Sequence, residues 1–235
     1  MVIPNKGALI KGLLLMVSFL VILAAMFMPF FDGQNALRAA DRLFNSIAKG
    51  STYYISGLQK QTQALQDSAF TANLKFDDQQ AAEKAAKVLG ASGAQANVDG
   101  SKVAVTGDLK QIFDAALADA DAMFRNDETS LRQKYDMGGK EVLFIWWKSL
   151  KEIDKDLIRQ KRFKLASFVG TVIKKGVEVG YNFYGIQSQT ASSKAGVLTF
   201  SLIFYIVYTL WWGMAIMFLF DACGLEMKAR AKKEI

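Results

Sequence analysis

The sequence predicts a membrane α+β chain in which two transmembrane helices continue into a long antiparallel helical stalk, with a small βαββα insertion. Three observations predict it. Two long uncharged apolar runs lie near the ends of the 235-residue chain, a seven-residue apolar spacing recurs on both sides of its middle, and strand-like alternation with a turn signal separates the two stretches of spacing.

The first run, Gly12 to Phe31, holds 20 residues with no charge and Ser18 as its one polar side chain. At 1.5 Å per residue that is enough helix to cross the hydrocarbon of a bilayer. Lys6 and Lys11 before it resemble the basic start of a signal peptide, but the run is long and no A-x-A cleavage pattern follows. Pro29 ends or kinks the helix in its last turn.

The second run, Gly196 to Phe220, is 25 residues without a charge. Trp211 and Trp212 lie nearer its middle than an interfacial aromatic belt requires, so they are expected to pack against another helix. Domain limits follow: a tail 1–11, a span 12–31, a central domain 32–195, a span 196–220 and a basic tail 221–235. The tails carry Lys6, Lys11, Lys228, Arg230, Lys232 and Lys233. Positive flanks favour the cytoplasm, so both termini are expected there, with a cell (inner) membrane location and the central domain periplasmic or extracellular.

Within the central domain, Leu37, Phe44, Ser51, Leu58 and Leu65 recur at sevens, with Ala40, Ile47, Tyr54 and Gln61 at the complementary positions. This predicts one stalk helix over about 35–66. Leu143, Trp146, Leu150, Ile153 and Leu157 predict a second, over about 140–186, antiparallel to the first. Its last part, Leu165 to Ile186, is apolar but holds Lys174, Lys175 and Glu178, which argues for an interfacial or tightly packed helix rather than a third span.

Between the stalk helices, about 70–124 reads as a βαββα insertion. Thr71 to Phe76 alternates like a strand, Asp78 to Gly90 is helical, and the turn signal Asp99-Gly100 joins two alternating segments. Leu109 to Phe124 follows as a helix. The hairpin positions Ala96, Val98, Gly100, Val103, Val105 and Gly107 resemble those of BON-type envelope domains, a likeness confined to that hairpin.

Histidine is absent and Cys223 is the only cysteine, which removes the commonest general base, the commonest metal ligand and any intrachain disulfide. Asp119, Asp121 and Asp127 do not make a calcium loop, because Phe124 stands where its glycine belongs and Met123 and Ser130 where oxygen ligands belong. Gly138-Gly139-Lys140 lacks the spacing and the following hydroxyl residue of a phosphate loop. No catalytic residue, cofactor or metal is expected.

The net charge is +7, and Lys148 to Lys175 holds nine basic against three acidic residues. Arg159, Lys161, Arg162, Lys164, Lys174 and Lys175 are candidate contacts for anionic lipid or an acidic partner. Trp146, Trp147, Trp211, Trp212 and the Gly176–Gly180 spacing are candidate helix interfaces. The expected partners are membrane lipid and other membrane protein subunits, as homo- or hetero-oligomer, and not nucleic acid. The expectation is a non-enzymatic subunit that anchors or scaffolds a membrane complex. A sensor signalling through a partner and a protein handling lipid or envelope polymer are the alternatives.

Overall fold

The computed structural model describes residues 4–225. Lys228, Arg230, Lys232 and Lys233, which carry much of the expected orientation, lie outside the described residues. In chain order the elements are α1 (Lys6–Phe27), α2 (Ala36–Ser51), α3 (Ile55–Gln63), β1 (Ala69–Lys75), α4 (Gln79–Ala91), β2 (Gln95–Asp99), β3 (Lys102–Asp108), α5 (Leu109–Phe124), α6 (Glu128–Tyr135), α7 (Gly139–Arg159), α8 (Phe163–Val172), a π-helical turn (Ile173–Val177), α9 (Glu178–Phe183) and α10 (Ala195–Ala222). The chain is mostly helical, with one small antiparallel sheet. It divides into two units, one of the two chain ends through Ile47 and from Gln189, the other Ala48–Ser188.

In the first unit α1 and α10 are long and apolar enough to cross a membrane. They run antiparallel. Asn5 Nδ2 donates to Asp221 Oδ2 at 3.0 Å, Gly12 lets the backbones approach so closely that a Cβ there would lie 3.0 Å from Leu219 N, and Phe19 stacks on Tyr208 at 4.3 Å and meets Trp212 at 4.7 Å. The apolar run from Gly12 to Phe31 is shifted against its helix. Asn5 caps α1 by accepting from Ala8 N at 3.0 Å, so the helix begins at Lys6. It ends at Phe27 because Met28 precedes Pro29, whose ring forces Met28 into the extended conformation it adopts.

The expected single stalk helix over 35–66 is two helices. Ser51 Oγ and Thr52 Oγ1 both turn back onto Ala48 O, at 3.1 and 2.8 Å, and the β-branched Thr52 and the aromatic Tyr53 and Tyr54 that follow are weak helix formers. Nor does the second heptad stretch pair with the first as a stalk. Leu143, Trp146, Leu150, Ile153 and Leu157 are all buried in the core of the second unit; of the first stretch Leu58 joins that core, while Leu37 and Phe44 are exposed. The helix expected over 140–186 folds back on itself at 160–162, so α8 returns antiparallel to α7. Lys161 takes a left-handed backbone there, and Arg162 Nη1 fastens the corner to Ala69 O at 2.8 Å.

The second unit is built around the insertion. The strands are ordered β1-β3-β2, with Phe70 opposite Gly107 and Val98 opposite Val103. β1 alternates exposed and buried residues, so Phe70, Ala72 and Leu74 face the core beside Val103 and Val105 of β3. Gly100 turns the hairpin with the positive φ such a tight turn needs. Asp78 and Asp108 cap α4 and α5 by accepting backbone N–H groups. Two of the core's largest buried side chains, Phe113 and Trp146, come from α5 and α7.

Candidate interaction surface

One face of α7 is buried against the sheet and helices of its unit and the opposite face is left open. Two carboxylate-centred clusters, one buried and one half-buried, fix how that face points. Asp119, on α5, is only 4% exposed. Its Oδ2 accepts from Tyr135 Oη at 2.6 Å and Trp146 Nε1 at 2.8 Å, and its Oδ1 from Lys134 Nζ at 3.0 Å. These bonds join α5, α6 and α7 at one atom pair, and burial together with the Asp119 acceptor pushes the Tyr135 hydroxyl well above its ordinary pKa.

Glu128 makes the second join. Its Oε2 accepts from Tyr184 Oη at 2.7 Å, and its Oε1 from Gly139 N at 3.0 Å and Arg132 Nη2 at 3.2 Å. The Tyr184 hydroxyl, then the Gly139 N–H, hold the Glu128 carboxyl below the usual glutamate range. The start of α7 is thereby tied to the chain just after α9.

With α7 fixed, Phe144, Trp147, Lys148, Lys151, Lys155 and Ile158 recur three and four residues apart on its outer side. Phe144 and Trp147 lie parallel, ring centres 5.9 Å apart, and Trp147 Nε1 donates to Glu178 Oε1 at 3.0 Å. Lysine ammonium groups stand over the rings: Lys151 over Trp147 at 4.3 Å, Lys148 over Phe144 at 4.9 Å and Lys140 over Tyr181 at 5.2 Å. Phe144, 47% exposed, forms a ridge between two open grooves. One, of about 220 Å³, runs between Trp147 and Tyr181; the other, of about 230 Å³, runs toward Phe76, Lys84 and Glu141. Further along α7 a shallower groove of about 510 Å³ is lined by Asp154, Ile158, Phe163, Lys174 and Lys175 among others.

The residues singled out in the sequence are thus distributed. Trp146 is wholly internal. Gly176 and Gly180 face α5: a Cβ on Gly180 would lie 2.5 Å from Ala120 O, and one on Gly176 would lie 2.6 Å from Leu117 Cδ2. That spacing is used inside the unit. Trp147 lies half-buried on the open face, and Trp212 packs on Phe19 within the first unit. Trp211 Nε1 is enclosed there with no hydrogen-bond partner among the described residues. Of the basic candidates, Arg159 pairs with Asp156 at 2.7 Å and Arg162 holds the α7–α8 corner. Lys161 and Lys164 are exposed, and Lys174 and Lys175 line the large groove.

Sequence reasoning missed Phe144 and Tyr181. Phe144 was detectable as a large aromatic outside the Leu143–Trp146–Leu150 seam; Tyr181 was not, because nothing local shows which side of α9 meets α7. No group of three or more metal-ligating side chains is assembled among the described residues. Comparison with known proteins returns no matching family model, no matching curated protein and no matching solved structure.

Proposed function

We propose that this chain is a non-enzymatic subunit of a membrane protein complex, anchored by α1 and α10 and engaging another protein subunit through the Phe144–Trp147–Tyr181 face. The observation that carries the reading is that ridge. Large aromatic side chains beside clefts, ringed by lysines and standing on a helix locked from behind, are the kind of feature that dominates binding energy at protein interfaces. The surrounding lysines favour an acidic rim on the partner and speed its encounter.

Membrane anchoring is supported by the length and hydropathy of α1 and α10. The Asn5–Asp221 bond supports a topology with both chain ends on one side. Lys6 and Lys11 favour the cytoplasm for that side and an extracytoplasmic location for the domain 48–188.

Purification of the full chain in mild detergent tests the reading. A particle containing at least one further chain is expected, and Phe144→Ala with Trp147→Ala should release that chain while leaving the fold intact. A strictly monomeric particle without partners would overturn it.

A further inference from the structure

Helix α2 leaves large apolar side chains open to the outside while burying two polar ones at its C-terminal end. Its apolar side chains, Leu37, Ala40, Leu43, Phe44 and Ile47, occupy one half of the helix circumference, and Arg38, Asp41, Arg42, Asn45, Ser46 and Lys49 the other. A helix on a soluble core buries the first half and exposes the second. Here Leu37 is 58% and Phe44 54% exposed, whereas the polar Ser46 and Lys49 are only 5% and 4% exposed.

The buried cation is matched, though by no carboxylate. Lys49 Nζ donates to Phe183 O at 3.0 Å and Ile186 O at 2.6 Å, the carbonyl-rich end of α9, and stands 4.9 Å from the Phe124 ring centre. The polar side of α2 is therefore held inward at Ser46 and Lys49, while Leu37 and Phe44 on the apolar side stay open. On the outward side Leu37 and Phe44 are exposed and Ala40, Leu43 and Ile47 half-buried.

The connection to α1 says what that side meets. Residues 28–35 fold back in a tight turn, with Phe31 and Gln34 exchanging both backbone hydrogen bonds at 2.9 Å and Asp32 and Gly33 both left-handed. Asn35 then caps α2 by accepting from Arg38 N at 2.9 Å. The turn adds Phe30, 73% exposed, and Phe31, 47% exposed, to the apolar surface that α1 presents. The exposed Phe30 and Phe31 thus stand between the apolar α1 and the stripe on α2, with Asp32 to Asn35 making the turn that links them.

We propose that α2 lies along the membrane interface, with Leu37, Ala40, Phe44 and Ile47 in the boundary between headgroups and acyl chains and Arg38 and Arg42 at headgroup level. The inference rests on reading α1 as a membrane span. An amphipathic helix next to a span is delivered to the interface at high local concentration, so burial of its stripe needs no further partner.

The full chain, with Cys223→Ser, is to be reconstituted in phosphatidylcholine vesicles containing anionic lipid and labelled with an environment-sensitive fluorophore at single cysteines: L37C, F44C, D41C and, on α1, L14C. All four side chains are exposed. Labels at 37 and 44 should be quenched by lipids spin-labelled near the headgroup more than by lipids labelled at the acyl terminus, and should resist aqueous iodide. The label at 41 should show the reverse preference for iodide. Labels at 37 and 44 as open to iodide as the label at 41, with the label at 14 quenched by lipid, would overturn the proposal alone. A label at 14 also unquenched by lipid would overturn the span reading beneath it. Shielding from both quenchers, with F44C forming a disulfide between copies, would show a second copy on the stripe and overturn it too.

Discussion

Alanine at Gly180 tests whether the Gly176–Gly180 spacing is an internal contact. A Cβ there falls 2.5 Å from Ala120 O and 3.0 Å from Ala120 Cα, both backbone atoms of the buried helix α5. No side-chain rotation relieves that overlap, so α9 must move away from α5. Overpacking a core costs about 1–3 kcal/mol, and a rigid partner puts this site in the upper half of the range. Alanine regains about 1 kcal/mol of helix propensity. The net loss is about 1–2 kcal/mol, which lowers the melting temperature of a chain of this length by roughly 2–8 °C. Gly170→Ala, on the same helical run, is the control. Nothing lies within 4 Å of a Cβ there, so the propensity gain of about 0.5–1 kcal/mol stands alone and stability rises. Thermal unfolding of the full chain in detergent, followed by near-ultraviolet circular dichroism, reads both. Equal stabilisation by the two variants would refute the close-contact reasoning.

Asp119→Ala strips the acceptor from Tyr135 Oη and Trp146 Nε1 in the core, at about 1–3 kcal/mol for each donor left unpaired. A loss of about 2–6 kcal/mol is expected, and Asp121→Ala, whose carboxylate meets Arg125 and Tyr53 at the surface, should cost less than about 1 kcal/mol. Indistinguishable melting temperatures would contradict this. Because the Glu128 carboxyl is held below its ordinary value of 4.5, the folded state binds its proton more weakly than the unfolded chain does. Its contribution is therefore fully present above that value and lost as pH falls through the lowered one. The stability advantage of the wild type over Glu128→Gln should be present at neutral pH and vanish in acid; a difference that does not vary with pH would refute it. Phe144→Ala should leave the melting temperature almost unchanged and weaken partner retention, since an exposed aromatic on a ridge contributes little to its own fold.

The elements legible in the sequence were those specified locally. Uninterrupted apolar runs show α1 and α10, and the strand alternation before Asp78 and the Asp99-Gly100 turn show the insertion. The helix breaks were less visible. At 160–162 the left-handed residue is Lys161, which has no preference for that conformation, and the corner is held by Arg162 reaching Ala69 across the fold. The heptad spacing misled because a seven-residue apolar repeat is equally the buried face of a helix on a globular core, and Leu143 to Leu157 is that case. The buried role of Asp119 has no local signal, because its three donors lie 15, 16 and 27 residues away. The open face on α7 needed the fold, since its second wall, Tyr181, comes from a helix that returns antiparallel.

Site-specific photo-cross-linking in living cells tests the central claim most directly. With a benzophenone amino acid at position 144 or 181, irradiation should join the chain to one discrete further membrane protein, and the same group at the exposed Asn97 on β2 should not. Equal adducts from all three positions, or none from 144 and 181, would contradict a docking role for the α7–α9 face.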